Sequence, residues 1–247
     1  MIPVRRFGHF DIACLSRSQL VDTFFAAHSE GVERAQVVMD ANGHALSLAQ
    51  TSSVFRNSIA QADLIHADGG FLVTMSQKVK GNVIPERSAT TDMIHDFAAA
   101  FEKSGHSFFL LGADEETNRD CAKKLQLLYP NLKIVGRHHG FFSEEEEQDV
   151  IAQINAVKPD VVWVGLGKPK EQSVSLRLRD QINATWIITC GGCYNYITGA
   201  YPRAPQWMQN NNLEWLHRML TNPQKLFWRY LVTTPHALWI VGRGALK

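Results

Sequence analysis

Cysteine is scarce in this chain, with four in 247 residues, too few for the disulfide framework of a small secreted scaffold. Cys190-Gly-Gly-Cys193 has the Cys-x-x-Cys spacing of redox and zinc sites, yet neither Cys14 nor Cys121 sits in a second pair that would complete a zinc set. The two glycines suit instead a tight turn leaving the apolar run Trp186-Ile-Ile-Thr. Long apolar runs are also lacking. No stretch approaches the roughly 20 residues that span a bilayer, and residues 230–241 are too few and contain Pro235. The opening Met1-Ile-Pro-Val-Arg-Arg has no apolar stretch behind its arginines, so no secretory signal is expected. Neither sign of charge dominates, with 25 Lys and Arg against 24 Asp and Glu, and no nucleic-acid partner is expected. There is no internal repeat and no low-complexity tract. With 45% hydrophobic residues the chain can bury one large core, with or without an appendage. A cytoplasmic protein is expected, with any membrane contact peripheral.

What is present is uneven along the chain. From residue 181 onward there are six Lys and Arg and one acid, Glu214, which leaves about −4 on residues 1–180 given the overall +1. Four of the six tryptophans (Trp207, Trp215, Trp228 and Trp239) fall in the last 41 residues. A basic, aromatic terminus suits anionic lipid headgroups or phosphates. The alternative is a helical subdomain whose tryptophans form its core.

Before that terminus, apolar bursts of strand length alternate with helical periodicity. The bursts are Ala35-Gln-Val-Val-Met-Asp, Asp63-Leu-Ile-His-Ala-Asp, Ser107-Phe-Phe-Leu-Leu-Gly, Leu132-Lys-Ile-Val-Gly, Val161-Val-Trp-Val-Gly and Trp186-Ile-Ile-Thr. Short continuous apolar strands separated by helices predict an α/β, Rossmann-like fold, its mostly parallel sheet carrying helices on both faces. Ser143 followed by four glutamates predicts a capped, solvated helix start. After Gly199 prolines punctuate short segments, and Leu213, Leu216 and Leu220 mark one helical face. A catalytic body over residues 1–198 and a helical appendage over 199–247 are therefore expected.

Ligands of such folds sit beyond the carboxyl ends of the strands. Asp68 stands there, after Leu64-Ile-His-Ala and before Gly69-Gly70, where a carboxylate can act as a general base or cap the next helix. Asp40 and Asn42 end the preceding strand and offer acceptors and a donor, or a turn and cap. Arg87, in Pro85-Glu-Arg, can bind a phosphate bidentately or remain solvated. Gly112 ends another strand. Gly165-Leu-Gly167-Lys-Pro-Lys170-Glu171-Gln172 is a glycine-rich turn suited to a diphosphate met by backbone N–H groups and lysines. It lacks the third glycine of the dinucleotide fingerprint and is no Walker loop. His138-His139 has no companion ligand pattern.

Taken in order, these motifs resemble the WecG/TagA/CpsF glycosyltransferases, glycosyltransferase family 26. The likeness runs from about residue 35 to 232 through Asp40-Ala-Asn42, Ala67-Asp68-Gly69, Pro85-Glu-Arg87, Phe109-Leu-Leu-Gly112 and Tyr129-Pro-Asn-Leu-Lys-Ile-Val-Gly. It continues through Gly165-Leu-Gly-Lys-Pro-Lys, Arg203-Ala-Pro-x-Trp, Glu214-Trp-Leu-x-Arg218 and Arg229-Tyr230. It implies an inverting transfer from a UDP-sugar (ManNAc, ManNAcA, glucose or a relative) to a polyprenyl-diphosphate-linked sugar, at the inner face of the cytoplasmic membrane. On that resemblance Asp68 is the catalytic base, no metal or other cofactor is needed, and the appendage meets the membrane. The same resemblance has Arg203, Arg218 and Arg229 complete the site, and links membrane docking to self-association.

Three positions depart from the family pattern. Asp40 replaces the usual Thr and places a second carboxylate near Asp68, which is expected either to raise the apparent pKa of the pair or to help bind a different sugar. Glu171-Gln172 inverts the usual Gln-Glu, and Gln224-Lys225 stands where arginines are common. Two other readings stay open: an NAD-dependent oxidoreductase, and a non-catalytic nucleotide-binding scaffold with a partner-binding tail.

Overall fold

A computed structural model describes residues 2–211, 213–221 and 223–245, with the side chains of 210, 225, 229, 230 and 243–245 outside that description. The chain opens with a hairpin, β1 (Val4–Phe7) and β2 (Phe10–Ala13), then α1 (Arg17–Glu30) and β3 (Gln36–Ala41). Next come α2 (Gly43–Thr51), α3 (Ser53–Ile59), β4 (Leu64–Ala67), α4 (Gly70–Lys78) and α5 (Thr90–Ser104). The second half of the body alternates β5 (Ser107–Gly112), α6 (Glu115–Leu128), β6 (Lys133–His138), α7 (Glu147–Val157) and β7 (Val161–Gly165). It ends with α8 (Lys170–Leu178), β8 (Trp186–Thr189) and α9 (Cys193–Thr198). Three helices follow: α10 (Gln206–Asn210), α11 (Glu214–Thr221) and α12 (Pro223–Ala245).

The six apolar bursts are the six strands β3 to β8. They form one sheet in the order β4-β3-β8-β7-β5-β6, every pair parallel. Side chains alternate between its faces as a two-residue period requires. Val37, Met39, Val162 and Ile187 enter one core, Val38, Val161, Trp163 and Ile188 the other. Both faces are covered along the inner strands, which is why those read as unbroken apolar runs, while the edge strand β6 is partly exposed. The fold is α/β and Rossmann-like, with a C-terminal helical region.

Three features differ from expectation. The N-terminal hairpin was not foreseen: its four-residue strands, Val-Arg-Arg-Phe and Phe-Asp-Ile-Ala, turn Arg6 and Asp11 outward, bury Arg5 and are too short to register as apolar bursts. The acidic run does not start a helix at Ser143. Residues 144–146 form a turn, and Glu147 is buried against Arg177 (Nη2 to Oε2 2.5 Å) where a solvated glutamate was expected. Prolines do punctuate short segments at first, Pro205 capping the five-residue α10 and Pro223 opening α12 after the eight-residue α11, but Pro235 does not. Helix α12 runs through Pro235, because Ala237, Ile240 and Val241 are buried in the core and hold the helix against the sheet's cover. Among the described residues no helix is long and apolar enough to cross a membrane.

Candidate active site

The tips of β4, β3, β8 and β7 open onto a cavity of roughly 500 Å³, closed on its far side by α11 and α12. That volume suits a small-molecule ligand. Each strand delivers polar groups as it stops hydrogen-bonding to its neighbour. β3 supplies Asp40 and then Asn42, the N-cap of α2, whose Oδ1 accepts from Ala45 N at 3.0 Å. Its Nδ2 faces the other way and donates to both Asp40 Oδ2 (2.9 Å) and Asp68 Oδ2 (3.2 Å). One amide thus both caps a helix and ties the two carboxylates together.

Asp68 does not cap the helix that follows it. Gly69 is the N-cap of α4, with no side-chain bond. Instead Asp68 Oδ1 accepts from Thr90 N (3.2 Å) at the start of α5, and its backbone carbonyl accepts from Arg87 Nε (2.7 Å). Burial pushes the Asp68 carboxyl up, but the charges of Arg87, Arg218 and Lys168 together outweigh burial and hold it below the usual range. The expected mutual raising by Asp40 is overturned for Asp68. The surrounding cations, Arg87 first, outweigh it, and Asp40 is itself paired with Lys168, whose Nζ lies 2.6 Å from both its oxygens. Burial disfavours the Lys168 ammonium, and Asp40 and Glu171 more than compensate, so it stays charged. His66, buried on β4 and 3.1 Å from Ser88 Oγ, is pushed down by burial and is neutral.

The turn read as a diphosphate cradle is already occupied from within. Glu171 Oε2 accepts from Gly167 N (3.0 Å) and Gly191 N (2.9 Å), and burial raises the Glu171 carboxyl. A diphosphate would have to displace that carboxylate from its donors. Cys190 and Cys193 flank the Gly191-Gly192 turn into α9 and are buried free thiols on the cavity wall.

Across the cavity, Glu214 of α11 is buried between two arginines. Arg87 Nη1 donates to its Oε2 at 2.6 Å, and Arg218 grips its Oε1 while lying 4.6 Å over the Tyr196 ring. Burial raises Glu214, and Arg218 and Arg87 outweigh burial and depress it. The helical region therefore reaches the same charges that face Asp68.

Of the residues singled out from sequence, Asp40, Asn42, Asp68, Arg87, Gly167, Glu171 and Arg218 line the cavity. Others do not. A Cβ on Gly112 would meet Gly165 O at 2.3 Å, and one on Gly165 would meet Gly191 O at 2.9 Å, so these glycines let strand ends close on one another. Lys170 turns away to Gly140 O (3.1 Å) and the Phe142 ring. Gln172 is buried with its Nε2 3.3 Å from Glu171 Oε1. Arg203 binds Asp92 Oδ1 through both Nη atoms (2.9 Å each), fastening the terminus to α5. The Arg229 side chain lies outside the described residues. Lys168 and Glu214 stand in the sequence only as members of longer motifs with no partner indicated, because their partners lie 128 and 127 positions away.

An α/β body with a cavity at its strand tips and one carboxylate held among cations has the form of a small-molecule-binding enzyme. The family model of the WecG/TagA/CpsF glycosyl transferases matches residues 5–247, and the chain belongs to that family of glycosyltransferases. Proteins of Staphylococcus aureus strains NCTC 8325 and COL are similar to it, each 29% identical over 206 residues, covering 83% of this chain and 79% of the relative. Both are named N-acetylglucosaminyldiphosphoundecaprenol N-acetyl-beta-D-mannosaminyltransferase.

Proposed function

We propose that this chain transfers a sugar from a UDP-sugar to a polyprenyl-diphosphate-linked sugar, with inversion, in the assembly of a cell-surface polysaccharide. The observation that carries this reading is the placement of Asp68, fixed by Asn42 and Thr90 N–H on a cavity wall that faces Arg87, Arg218 and Lys168. A carboxylate held below its usual range is ionised at neutral pH, so Asp68 is in the form that can accept a proton, as a weaker base than an unperturbed aspartate. In the proposed step Asp68 accepts the proton of the acceptor hydroxyl as that oxygen bonds the anomeric carbon. The bond from that carbon to the diphosphate breaks on the opposite face, and UDP leaves. A single displacement inverts the anomeric centre. Negative charge growing on the diphosphate meets Arg218 and Arg87, groups already in place before reaction. The reading draws this positive charge from side chains and needs no metal.

The lipid-linked acceptor accounts for the helical terminus. Phe227, Trp228, Leu231, Val232, Leu238 and Trp239 are exposed on α12, spaced along one helical face while Ala237, Ile240 and Val241 point to the core. An uncovered apolar stripe of this size marks an interaction surface, and the relatives' lipid substrates support a headgroup layer as its partner, with the protein peripheral on the cytoplasmic face. Thr233, Thr234 and Leu238 lead from that stripe into the cavity, a route for an acceptor whose tail stays in lipid. The division at residues 198–199 is part of the same proposal, as is self-association on docking.

The test is a donor screen with a GlcNAc-diphosphate-lipid acceptor and NMR of the product. Turnover of one UDP-sugar to an inverted product is expected. A retained anomeric configuration, or thermal stabilisation by NAD but not by UDP, would contradict the reading.

A further inference from the structure

The opposite pole of the sheet carries a second cluster of chemistry-bearing side chains. His28 lies in the last turn of α1, His106 between α5 and β5, and Asp160 between α7 and β7. A ring nitrogen of each histidine and an oxygen of Asp160 all lie within 4.8 Å of one another. We propose that these three residues form a binding site for a first-row transition-metal dication, separate from the transfer cavity.

Chain topology brings them together. The residues preceding β5, β7 and β8 share the amino end of the sheet, whereas the cavity lies beyond the carboxyl ends. Each ligand is also oriented by a neighbour. Asp160 Oδ2 accepts from Ser107 N (2.7 Å) and Ser107 Oγ (2.8 Å), which fixes the carboxylate and leaves Oδ1 facing His28 Nδ1 at 3.5 Å. His106 Nδ1 is engaged by Ser104 Oγ at 2.8 Å, so Nε2 is the nitrogen left to bind an ion. Thr185 Oγ1 lies 2.8 Å from His28 Nδ1 and must give up that nitrogen for it to bind an ion, while the two imidazoles meet nearly edge to face with centroids 4.6 Å apart. Outer partners such as Ser107 on Asp160 and Ser104 on His106 set ligand orientation in metal sites.

The dimensions fit. Bonds of about 2.0–2.1 Å in a tetrahedral site put ligand atoms roughly 3.3 Å apart, close to the His28–Asp160 separation. No ligand atom is more than 4.8 Å from another, so side-chain shifts of about an ångström close the set around an ion. Two imidazoles and one carboxylate select Zn²⁺ and its neighbours over Mg²⁺ or Ca²⁺, which take oxygen ligands. Water fills the fourth position on the open side. The bound ion cross-links the end of α1 to the entries of β5 and β7, a stabilising tie with no part in the transfer chemistry.

The experiment is calorimetric titration of the chelator-stripped full chain with ZnCl₂, beside His28→Ala and His106→Ala. One equivalent bound at micromolar Kd or tighter is expected, weakened at least tenfold in each variant, with no heat from MgCl₂. Zinc at a hundred times the wild-type Kd should raise the wild-type Tm by roughly 5–10 °C and that of each variant by about half as much or less. No saturable zinc binding, or binding unchanged in both variants, would overturn the site. His28 is at the surface, so if His106→Ala fails to fold, His28→Ala alone decides.

Discussion

The two ends of this chain use tryptophan in opposite ways. Trp163 and Trp186 in the body are 0% exposed and packed among Phe24, Phe97 and Phe108. In the terminus Trp207 is 61% and Trp228 71% exposed. The same side chain supplies close packing in one region and an apolar outer surface in the other. The reading of the terminal tryptophans as a subdomain core is thereby overturned for these two residues. The contrast extends to charge. Body arginines such as Arg179 serve folding, buried against Gln61 O and Asp63, while Arg218 of the terminus is turned inward toward Asp68.

The comparison can be broken most forcefully in the body. Trp186→Ala should lower stability by about 3–5 kcal/mol through the cavity it leaves, measured by denaturant unfolding. A loss under 1 kcal/mol would mean the aromatic cluster is not the core it is taken to be. Arg218→Ala comes next, with kcat/KM expected to fall about 10- to 100-fold from the loss of a charged contact. It also has a pH signature. The depressed Asp68 carboxyl contributes stability that is present above its unfolded-state pKa and lost as pH falls through the lower folded value. The acid limb of wild-type kcat/KM should therefore lie below the ordinary aspartate range. Removing Arg218 leaves burial less opposed, so the limb should move to higher pH; an unmoved limb would separate Arg218 from the base. The smallest effect on the fold is at Trp228→Ala, within about 0.5 kcal/mol of wild type. Flotation with anionic vesicles should nonetheless weaken, and full retention would remove that face from the membrane.

The sheet was legible because parallel strands buried on both faces need unbroken apolar runs, and all six runs became strands. Asp40, Asn42, Asp68 and Arg87 were legible because strand tips and loop arginines are where such folds gather polar groups. What stayed hidden is long-range. Nothing near Lys168 in sequence points to Asp40, and nothing near Glu214 points to Arg87, because the fold alone makes them neighbours. The inward turn of Arg203 to Asp92 is hidden for the same reason. The continuity of α12 through Pro235 was hidden too, since proline argues locally for a break while the packing of Ala237, Ile240 and Val241 holds the helix on the body.

In the proposed reaction one carboxylate of the body takes the proton while the terminus completes the charge around it. The most direct measurement is the transfer rate of Asp68→Asn beside its affinity for UDP. Transfer should fall by about 10²- to 10⁴-fold with UDP affinity within about twofold of wild type, because the asparagine still offers oxygen to Thr90 N. A variant that keeps more than about a tenth of the wild-type rate would take Asp68 out of the reaction.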